Sequence, residues 1–429
     1  MYILYNIILA ILSVIFAPLA CAALLSRKKY RAGFLEKCGM LRPRDGAGRP
    51  IWVHAVSVGE VMAAVPLIKR IKQRFPDVPL VVSTITETGN QTAHRNLKQA
   101  DRIMYFPFDY PFIVRRVVRA VNPRVFIMLE TEIWPNFLRE LSRRSTPVLM
   151  ISGRISERSF RNYKLFSFFF KQVLAQVSRL CMQTAEDAQR IIDIGAPQER
   201  VLVGGNIKFD LQVPPITLQE QERLRADFGF AAGQQVFIAG STHKGEEEIV
   251  LSVFAALRRR FPQAALILAP RHPERFDETE ALLRQSGLPY VRRTALQAAP
   301  CPQRASVVLL DTIGELFKTY SMGTVVFIGG SLVPVGGHNV LEPAVFGKPV
   351  IFGRHMHNFR EIARMLRQKQ AGIQVAGPEQ FMVEALRLFE DPAACEEIGR
   401  NAFLVIQENI GAVQRSVAVL EDELGHNAR

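Results

Sequence analysis

The chain has 429 residues, 48% of them hydrophobic, which exceeds one domain of ordinary size and is ample for two cores. Its formal net charge of +14 indicates an anionic partner: nucleic acid, an anionic membrane or a phosphorylated substrate. No Arg-Gly or basic–aromatic pattern of nucleic-acid binding is present, so we expect no nucleic-acid partner and place an anionic membrane first.

An almost unbroken apolar run, Ile7–Leu25, is long enough to cross a bilayer. No Lys or Arg precedes it, whereas Arg27, Lys28, Lys29 and Arg31 follow it. A cleavable signal peptide carries its positive charges in front, so the run is predicted to be an uncleaved anchor, with the bulk of the chain in the cytoplasm. A buried core helix is the alternative, and Pro18 would bend the helix in either case.

Strands and helices alternate through the rest of the first half. This alternation is typical of an α/β domain with a parallel sheet. The strands are predicted at 51–56, 79–83, 101–106, 124–129, 148–151, 180–183 and 200–203.

Polar motifs follow two of these strands. Ser57-Val58-Gly59-Glu60 comes after the first strand and has two interpretations. It is either a capping box, with Glu60 reaching back to the Ser57 N–H, or a site in which Glu60 faces the cleft where parallel sheets bind ligands. Glu130 and Glu132 follow a buried strand, where carboxylates cost free energy unless they are solvated or paired. Glu132 has the further alternative of capping the next helix.

The stretch 160–179 combines an apolar helical face with flanking basic residues. Such a helix lies either in a membrane interface or in a protein core, and the core is slightly favoured.

The second half begins after a predicted linker at 210–215 and repeats the alternation. Strands are predicted at 236–239, 264–269, 307–310, 325–328 and 350–352, and helices at 218–228, 358–370, 379–390 and 393–423. Turns suited to phosphate binding recur where these strands end. Within Gly323–Gly353, Gly329, Gly330, Gly336 and Gly337 allow tight turns, and Asn339 is a predicted helix N-cap. A helix N-terminus after glycines is an anion site, although an ordinary βα loop would also fit.

Motifs for metals and dinucleotides are missing from the sequence. There is no Walker motif, no GxGxxG after the first strand, no Asp-x-Asp pair and no Cys/His cluster. The five cysteines have no CxxC spacing, which argues against a disulfide framework or zinc site: Cys21, Cys38, Cys181, Cys301 and Cys395.

In order along the chain, the motifs resemble those of the lipid A Kdo transferases (3-deoxy-D-manno-octulosonic acid transferases). The resemblance covers essentially the whole chain, and Arg354, where a Pro is expected, is the one mild departure. The motifs are Ser57-Val58-Gly59-Glu60, Glu130-Thr131-Glu132-Ile133-Trp134-Pro135-Asn136, Ser152-Gly153-Arg154, Gly205-Asn206-Ile207-Lys208, Gly240-Ser241-Thr242-His243, Arg271-His272-Pro273 and Gly336-Gly337-His338-Asn339 with Glu342-Pro343.

The resemblance implies two Rossmann-like domains facing a central cleft, behind an N-terminal transmembrane helix. The implied divisions are an anchor at 1–26, an acceptor domain at 35–210, a CMP-Kdo donor domain at 216–395, and a C-terminal helix at 396–429 that packs back on the first domain. It implies an inverting, metal-independent glycosyltransferase without a cofactor, on the cytoplasmic face of a bacterial inner membrane. Kdo would move from CMP-Kdo to a tetraacyl lipid A precursor in lipopolysaccharide biosynthesis.

The resemblance also assigns the site residues. Glu60 becomes the catalytic base. The expected donor-binding residues are Lys208, Ser241, Thr242, Arg271, His272, Gly330, Ser331, Gly336, Gly337, His338, Asn339 and Glu342. The acceptor-side or supporting residues are Ser57, Gly59, Glu130, Glu132 and Arg154.

Two other functions share these features. One is a UDP-sugar-dependent glycosyltransferase acting on a lipid-linked acceptor. The other is a membrane-tethered nucleotide-binding protein without turnover.

Overall fold

The computed structural model describes residues 1–26, 31–41, 48–211, 216–298 and 305–426. The chain divides into two compact units: Met1–Asp210 with Asn409–Arg429, and Leu211–Glu408. The basic residues Arg27, Lys28 and Lys29, linker positions 212–215 and Cys301 lie outside the described residues.

The first unit contains a seven-stranded parallel sheet in the order β3-β2-β1-β4-β5-β6-β7. Strand β1 pairs with both β2 and β4, so the strand order reverses between β1 and β4. Ligands of open α/β sheets bind at such a reversal, beyond the carboxyl ends of the strands. The strands are β1 Ile51–His54, β2 Leu80–Thr84, β3 Arg102–Tyr105, β4 Val125–Leu129, β5 Val148–Gly153, β6 Arg179–Met182 and β7 Val201–Val203.

Helices cover both faces of this sheet, so successive strand residues enter different cores. Trp52 packs with Phe126 and Phe137 on one face, whereas Val53 belongs to the core on the other. The helices are α1 Tyr2–Ser26, α2 Phe34–Lys37, α3 Val58–Arg74, α4 Glu87–Asn96, α5 Pro111–Val121, α6 Pro135–Arg143, α7 Glu157–Leu165, α8 Ser167–Leu174 and α9 Ala185–Ile194.

The stretch 160–179 is broken at Phe166, between α7 and α8, and is not one continuous helix. Val173 and Val177 are buried, and Phe170 packs against the core. Phe166 and Phe168 remain exposed. One side of the stretch therefore belongs to the core, as favoured from the sequence, and two aromatic rings face solvent.

Helix α1 is apolar over Tyr2–Leu19, where none of its residues is fully buried; with a mean hydropathy of 2.2 it could, by length and composition, cross a membrane. It runs through Pro18 without interruption. Its first turns contact the first unit: the Tyr2 and Tyr5 rings pack on Phe169, and the Tyr5 hydroxyl donates to Asp109 at 2.9 Å.

The second unit also contains a seven-stranded parallel sheet, in the order β10-β11-β9-β8-β12-β13-β14, and its order reverses between β8 and β12. The two edge strands, β10 and β14, were not predicted from the sequence. The strands are β8 Val236–Thr242, β9 Ala265–Pro270, β10 Tyr290–Arg292, β11 Val307–Leu309, β12 Val325–Ile328, β13 Val350–Phe352 and β14 Ile373–Gln374.

The predicted long helix at 393–423 is two helices, α18 Pro392–Asn409 and α19 Ala412–His426, because Gly411 takes a positive φ of 93° between them. Asp210 accepts hydrogen bonds from the N–H groups of Gly411 and Val413 and so caps α19, which packs into the core of the first unit. The remaining helices are α10 Leu218–Asp227, α11 Glu247–Arg260, α12 Phe276–Ser286, α13 Arg293–Ala298, α14 Leu316–Thr319, α15 Leu341–Ala344, α16 Arg360–Gln368, α17 Pro378–Glu390, α18 Pro392–Asn409 and α19 Ala412–His426.

Candidate active site

Glu60 lies in the first turn of α3, directly beyond the carboxyl end of β1. Its carboxylate accepts a hydrogen bond from the Val56 N–H at 2.8 Å and another from the Ser57 hydroxyl at 3.1 Å. The predicted reciprocal capping box is therefore wrong. Ser57 is the N-cap residue, but its side chain makes no cap hydrogen bond and donates to Glu60 instead. Both bonds orient the carboxylate.

Burial, with a smaller contribution from the nearby charge of Glu130, raises the pKa of Glu60 to about 7. A general base acts best when its pKa lies near the working pH, because it is then deprotonated and still basic enough to take a proton. Gly59 is exposed, and a Cβ there would come no closer than 3.9 Å, to the Ser57 hydroxyl oxygen.

Glu130 lies beyond the end of β4, the strand beside β1, and takes a positive φ of 54°. Lys208 contacts its carboxylate at 2.8 Å and Arg154 contacts it at 3.1 Å. Burial alone would raise the pKa of Glu130, but the two cations outweigh it, so the pKa lies below its usual value. Glu130 therefore stays ionised near neutral pH, whereas Glu60, with a pKa of about 7, is only partly ionised there.

Glu132 accepts a hydrogen bond from the Trp134 indole N–H at 3.2 Å. Burial, followed by the charge of Glu60, raises the pKa of Glu132 to about 7. The charge of Glu60 therefore favours the protonated form of Glu132. Glu132 does not cap α6, because Asp109 accepts from the N–H groups of Asn136 and Phe137 at that helix start.

Lys208→Met should lower the free energy of unfolding by about 3 kcal/mol, because it leaves the partly buried Glu130 with one cation instead of two. It should also move the pH midpoint of activity upward, since the Lys208 charge lowers the pKa of Glu60. Denaturant unfolding and a pH–rate profile measure the two effects.

Lys72→Met is the matched control, because its ion pair with Asp101 is more exposed and exposed pairs contribute less than about 1 kcal/mol. Equal losses in the two variants, with unchanged pH midpoints, would contradict the role given to Lys208.

Lys208 was expected among the donor-binding residues. The structure places it in the first unit beside Glu130, and its donor contact stays a prediction.

The second unit builds its glycine-rich loop around Glu246, a fully buried carboxylate. Glu246 accepts hydrogen bonds from the N–H groups of Gly330, Ser331 and Leu332 at 2.7, 3.0 and 2.9 Å, and from the His243 N–H at 2.9 Å. Successive N–H groups of this kind form an anion-binding concavity. Here the chain's own carboxylate fills it.

The N–H groups of Gly330, Ser331, Gly336 and Gly337 are therefore already bonded within the chain. Glu246 binds those of Gly330 and Ser331, and the Gly330 carbonyl accepts from both Gly336 and Gly337. The hydroxyl of Ser331 is also committed, since it donates to the Ile328 carbonyl and accepts from the Gly353 N–H. Ser331 thus stabilises the loop through hydrogen bonds inside it, and a ligand would contact other groups before the Ser331 hydroxyl.

Close backbone approach explains one glycine directly. A Cβ on Gly329 would lie 2.4 Å from the Ser241 carbonyl oxygen, so a larger residue would push the ends of β8 and β12 apart. Ser241 takes a positive φ of 55° at this contact. The adjacent Thr242 is fully buried, and its hydroxyl is without a hydrogen-bond partner among the described residues.

Three histidines lie together near this loop. The Nε2 atoms of His243 and His338 are 2.8 Å apart, and the His243 and His272 rings are separated by 5.4 Å. Burial, followed by nearby cations, lowers the pKa of His243 to about 4 and that of His338 to about 3. The pair is therefore neutral at physiological pH, with one Nε2–H donating to the other nitrogen.

The exposed guanidinium of Arg271 supplies positive charge beside these rings, and the backbone N–H of Arg271 donates to the Thr242 carbonyl at 3.0 Å. Asn339 is not the helix N-cap, which is Val340, but its side chain accepts from the Leu341 N–H and donates to Glu342. Burial raises the pKa of Glu342 to about 7.

Comparison with known proteins identifies the family. Residues 27–211 match the 3-deoxy-D-manno-octulosonic-acid transferase (kdotransferase) family. The chain is 35% identical over 405 residues to the 3-deoxy-D-manno-octulosonic acid transferase of Haemophilus influenzae, covering 93% of each chain. The chain belongs to the Kdo transferase family.

One further similarity concerns the family and another concerns the fold. The 3-deoxy-D-manno-octulosonic acid transferase of Bordetella pertussis is 33% identical over 388 residues, covering 88% of each chain. The solved UDP-GlcNAc 2-epimerase of Neisseria meningitidis, bound to UDP-GlcNAc, matches with a TM-score of 0.56 at 14% identity, covering 88% of this chain and 100% of that one. The latter likeness concerns the fold alone, and it confirms the predicted class of two Rossmann-like α/β domains.

In this Kdo transferase, sequence reasoning missed two carboxylates that fix neighbouring backbone segments in place. Glu246 holds the glycine-rich loop, and Asp109 holds the start of α6, just after Trp134. Each carried a local signal: Glu246 follows a Gly-Ser-Thr turn at a strand end, and Asp109 follows Pro107-Phe108 after another strand. Their partners are distant in sequence, so the signal did not show what they bind.

Proposed function

We propose that the chain is an inverting, metal-independent glycosyltransferase that moves Kdo from CMP-Kdo to a tetraacyl lipid A precursor, with Glu60 as the base. Family membership supports the transferred sugar. The observation that carries the assignment of the base is the environment of Glu60: two hydrogen bonds orient its carboxylate, and its pKa is raised to about 7.

In this mechanism the Glu60 carboxylate removes the proton from an acceptor hydroxyl as that oxygen attacks the anomeric carbon of Kdo. The new C–O bond forms while the bond from the anomeric carbon to the CMP phosphate oxygen breaks. CMP leaves with the bonding electron pair, and the proton remains on Glu60. Glu130, held ionised by Lys208 and Arg154, contributes to keeping the pKa of Glu60 high.

The leaving group, CMP, carries a single phosphate, so a modest set of donors suffices. Arg271 and the Ser241 hydroxyl supply two of these donors. The N–H groups of His338 and Asn339, which have no partner among the described residues, supply two more. Each charge-assisted hydrogen bond contributes roughly 1.5–3 kcal/mol. We assign the ribose hydroxyls to Glu342, and keep His272 as a neighbour of the phosphate.

Helix α1 serves as the membrane anchor in this proposal, with both units on the cytoplasmic face of the inner membrane. Its exposed apolar surface and mean hydropathy of 2.2 support this assignment. The net charge of +14 would favour both the anionic membrane surface and the phosphates of the acceptor.

Purified full-length protein, incubated with CMP-Kdo and the tetraacyl disaccharide, should add one or more Kdo residues to the lipid and release CMP. Mass spectrometry of the lipid measures this, and EDTA should leave the yield unchanged because the proposed phosphate site uses protein donors. UDP-sugars are the control donors. Transfer from a UDP-sugar but not from CMP-Kdo would favour the alternative enzyme, and no transfer from either would favour a binding protein without turnover.

A further inference from the structure

A pocket of about 780 Å³ lies on the first unit, between α5 and α6, and five arginines line it. Arg115, Arg116 and Arg119 come from α5, whereas Arg139 and Arg143 come from α6. Helical spacing explains the cluster, because residues three or four apart share a face. The remaining residues of α5 between them, such as Val117 and Val118, are buried in the core.

The protein neutralises little of this charge. Among the described residues, Arg115, Arg116, Arg119 and Arg143 form no ion pair. The acidic residue of the pocket, Glu140, is paired with Arg144 at 2.9 Å. Like charges at i,i+4 weaken a helix, so such a cluster indicates an anion from outside the chain. Guanidinium groups bind phosphate through paired, planar hydrogen bonds.

The apolar helix α1 forms one wall of the pocket through Asn6. Asn6 accepts a hydrogen bond from the Asn136 side chain at 2.7 Å, and the Tyr2 ring lies under Arg139, with the guanidinium 4.4 Å from the ring centroid. Phe112, which is 72% exposed, also lines the pocket. Phosphate-binding groups thus lie beside the exposed apolar ring of Phe112 and beside the first turns of α1.

We propose that this arginine pocket binds the phosphate headgroup of an anionic phospholipid in the membrane that α1 enters. A soluble phosphate would use the arginines alone, whereas a phospholipid also uses the exposed apolar ring of Phe112. Basic side chains at a membrane surface extend toward headgroups in this way. The inference rests on α1 as the anchor and not on the transferred sugar, so its failure would leave the proposed reaction standing.

Full-length protein in neutral detergent should bind dihexanoyl phosphatidylglycerol roughly 10- to 100-fold more tightly than dihexanoyl phosphatidylcholine or glycerol phosphate. Titration calorimetry measures all three. The triple variant R115Q/R116Q/R119Q should lose a similar factor in affinity for phosphatidylglycerol. R115K/R116K/R119K keeps the charge without the planar guanidinium, and should lose about threefold or more.

The matched control is R70Q/R95Q/K98Q, which removes three positive charges from exposed positions of the same unit and should change the affinity less than about twofold. Thermal unfolding verifies that each variant is folded. Equal losses in the pocket and control variants would overturn the proposal, as would glycerol phosphate binding as tightly as the lipid. It would also be overturned if the lipid A precursor displaced phosphatidylglycerol and the pocket variant raised the KM for that acceptor.

Discussion

Glu60→Gln should lower the kcat of Kdo transfer by about 10²- to 10⁴-fold, because an amide cannot take the proton of the acceptor hydroxyl. The fold should be retained, since the amide oxygen still accepts from the Val56 N–H or the Ser57 hydroxyl. Steady-state kinetics with CMP-Kdo measures the loss, and calorimetry of CMP binding verifies that the donor site is intact.

The wild-type pH profile belongs to the same prediction. Because the base must be deprotonated and its pKa is raised to about 7, kcat/KM should rise with pH through about 7 and level off above it. The free energy of unfolding should change with pH in the opposite direction. The folded state binds the Glu60 proton more tightly than the unfolded state, so the free energy of unfolding falls as pH rises from about 4.5 to about 7. Glu60→Gln should remove that slope and be more stable than wild type above pH 7.

Glu132→Gln is the comparison that separates the two neighbouring carboxylates. The pKa of Glu132 is also raised to about 7, but we assign it to the acceptor side, so its substitution should raise the KM for the lipid more than it lowers kcat. If Glu60→Gln retained most of its kcat while Glu132→Gln lost it, Glu132 would be the base. If Glu60→Gln instead lost stability and kept activity, Glu60 would only stabilise the start of α3.

Strands buried on both faces could be predicted from the sequence, because such strands are continuous apolar runs. Val125–Leu129 and Val325–Ile328 are examples. The edge strands Tyr290–Arg292 and Ile373–Gln374 were missed because they are short, half-exposed and partly polar. Only pairing with a neighbouring strand makes them strands. The break at Phe166 was missed for a related reason: apolar periodicity continues through it.

The candidate site was predictable where chemistry follows a strand directly, as at Glu60, Glu130 and Glu132. What those groups contact was not. Lys208 reaches Glu130 across 78 positions, and Glu246 reaches Gly330 across 84, so no local pattern relates them. The capping box failed because Ser57 and Glu60 have more than one way to pair at a helix start. Their spacing fits a capping box and also fits a direct hydrogen bond from Ser57 to Glu60. The conformation of the backbone that leads into α3 determines which arrangement forms.

Glu246→Ala should destabilise the second unit by about 3–5 kcal/mol, since it leaves four N–H groups, those of His243, Gly330, Ser331 and Leu332, without their acceptor. Each unsatisfied buried donor costs about 1–3 kcal/mol, and water entering the vacated space reduces the total. The loosened loop carries His338, so CMP should bind at least about tenfold more weakly. Denaturant unfolding of the full chain and calorimetry with CMP measure the two losses.

Two variants show whether these losses come from the carboxylate. Glu248→Ala, at the exposed position two residues on, should change stability by less than about 0.5 kcal/mol. Glu246→Gln keeps the shape, but one Glu246 oxygen accepts from Ser331 and Leu332 and the other from His243 and Gly330. An amide has one oxygen, so its NH₂ group must face two N–H donors. The glutamine variant should therefore fall between wild type and alanine. If it matched wild type in stability and CMP binding, the loop would hold its shape without the charge.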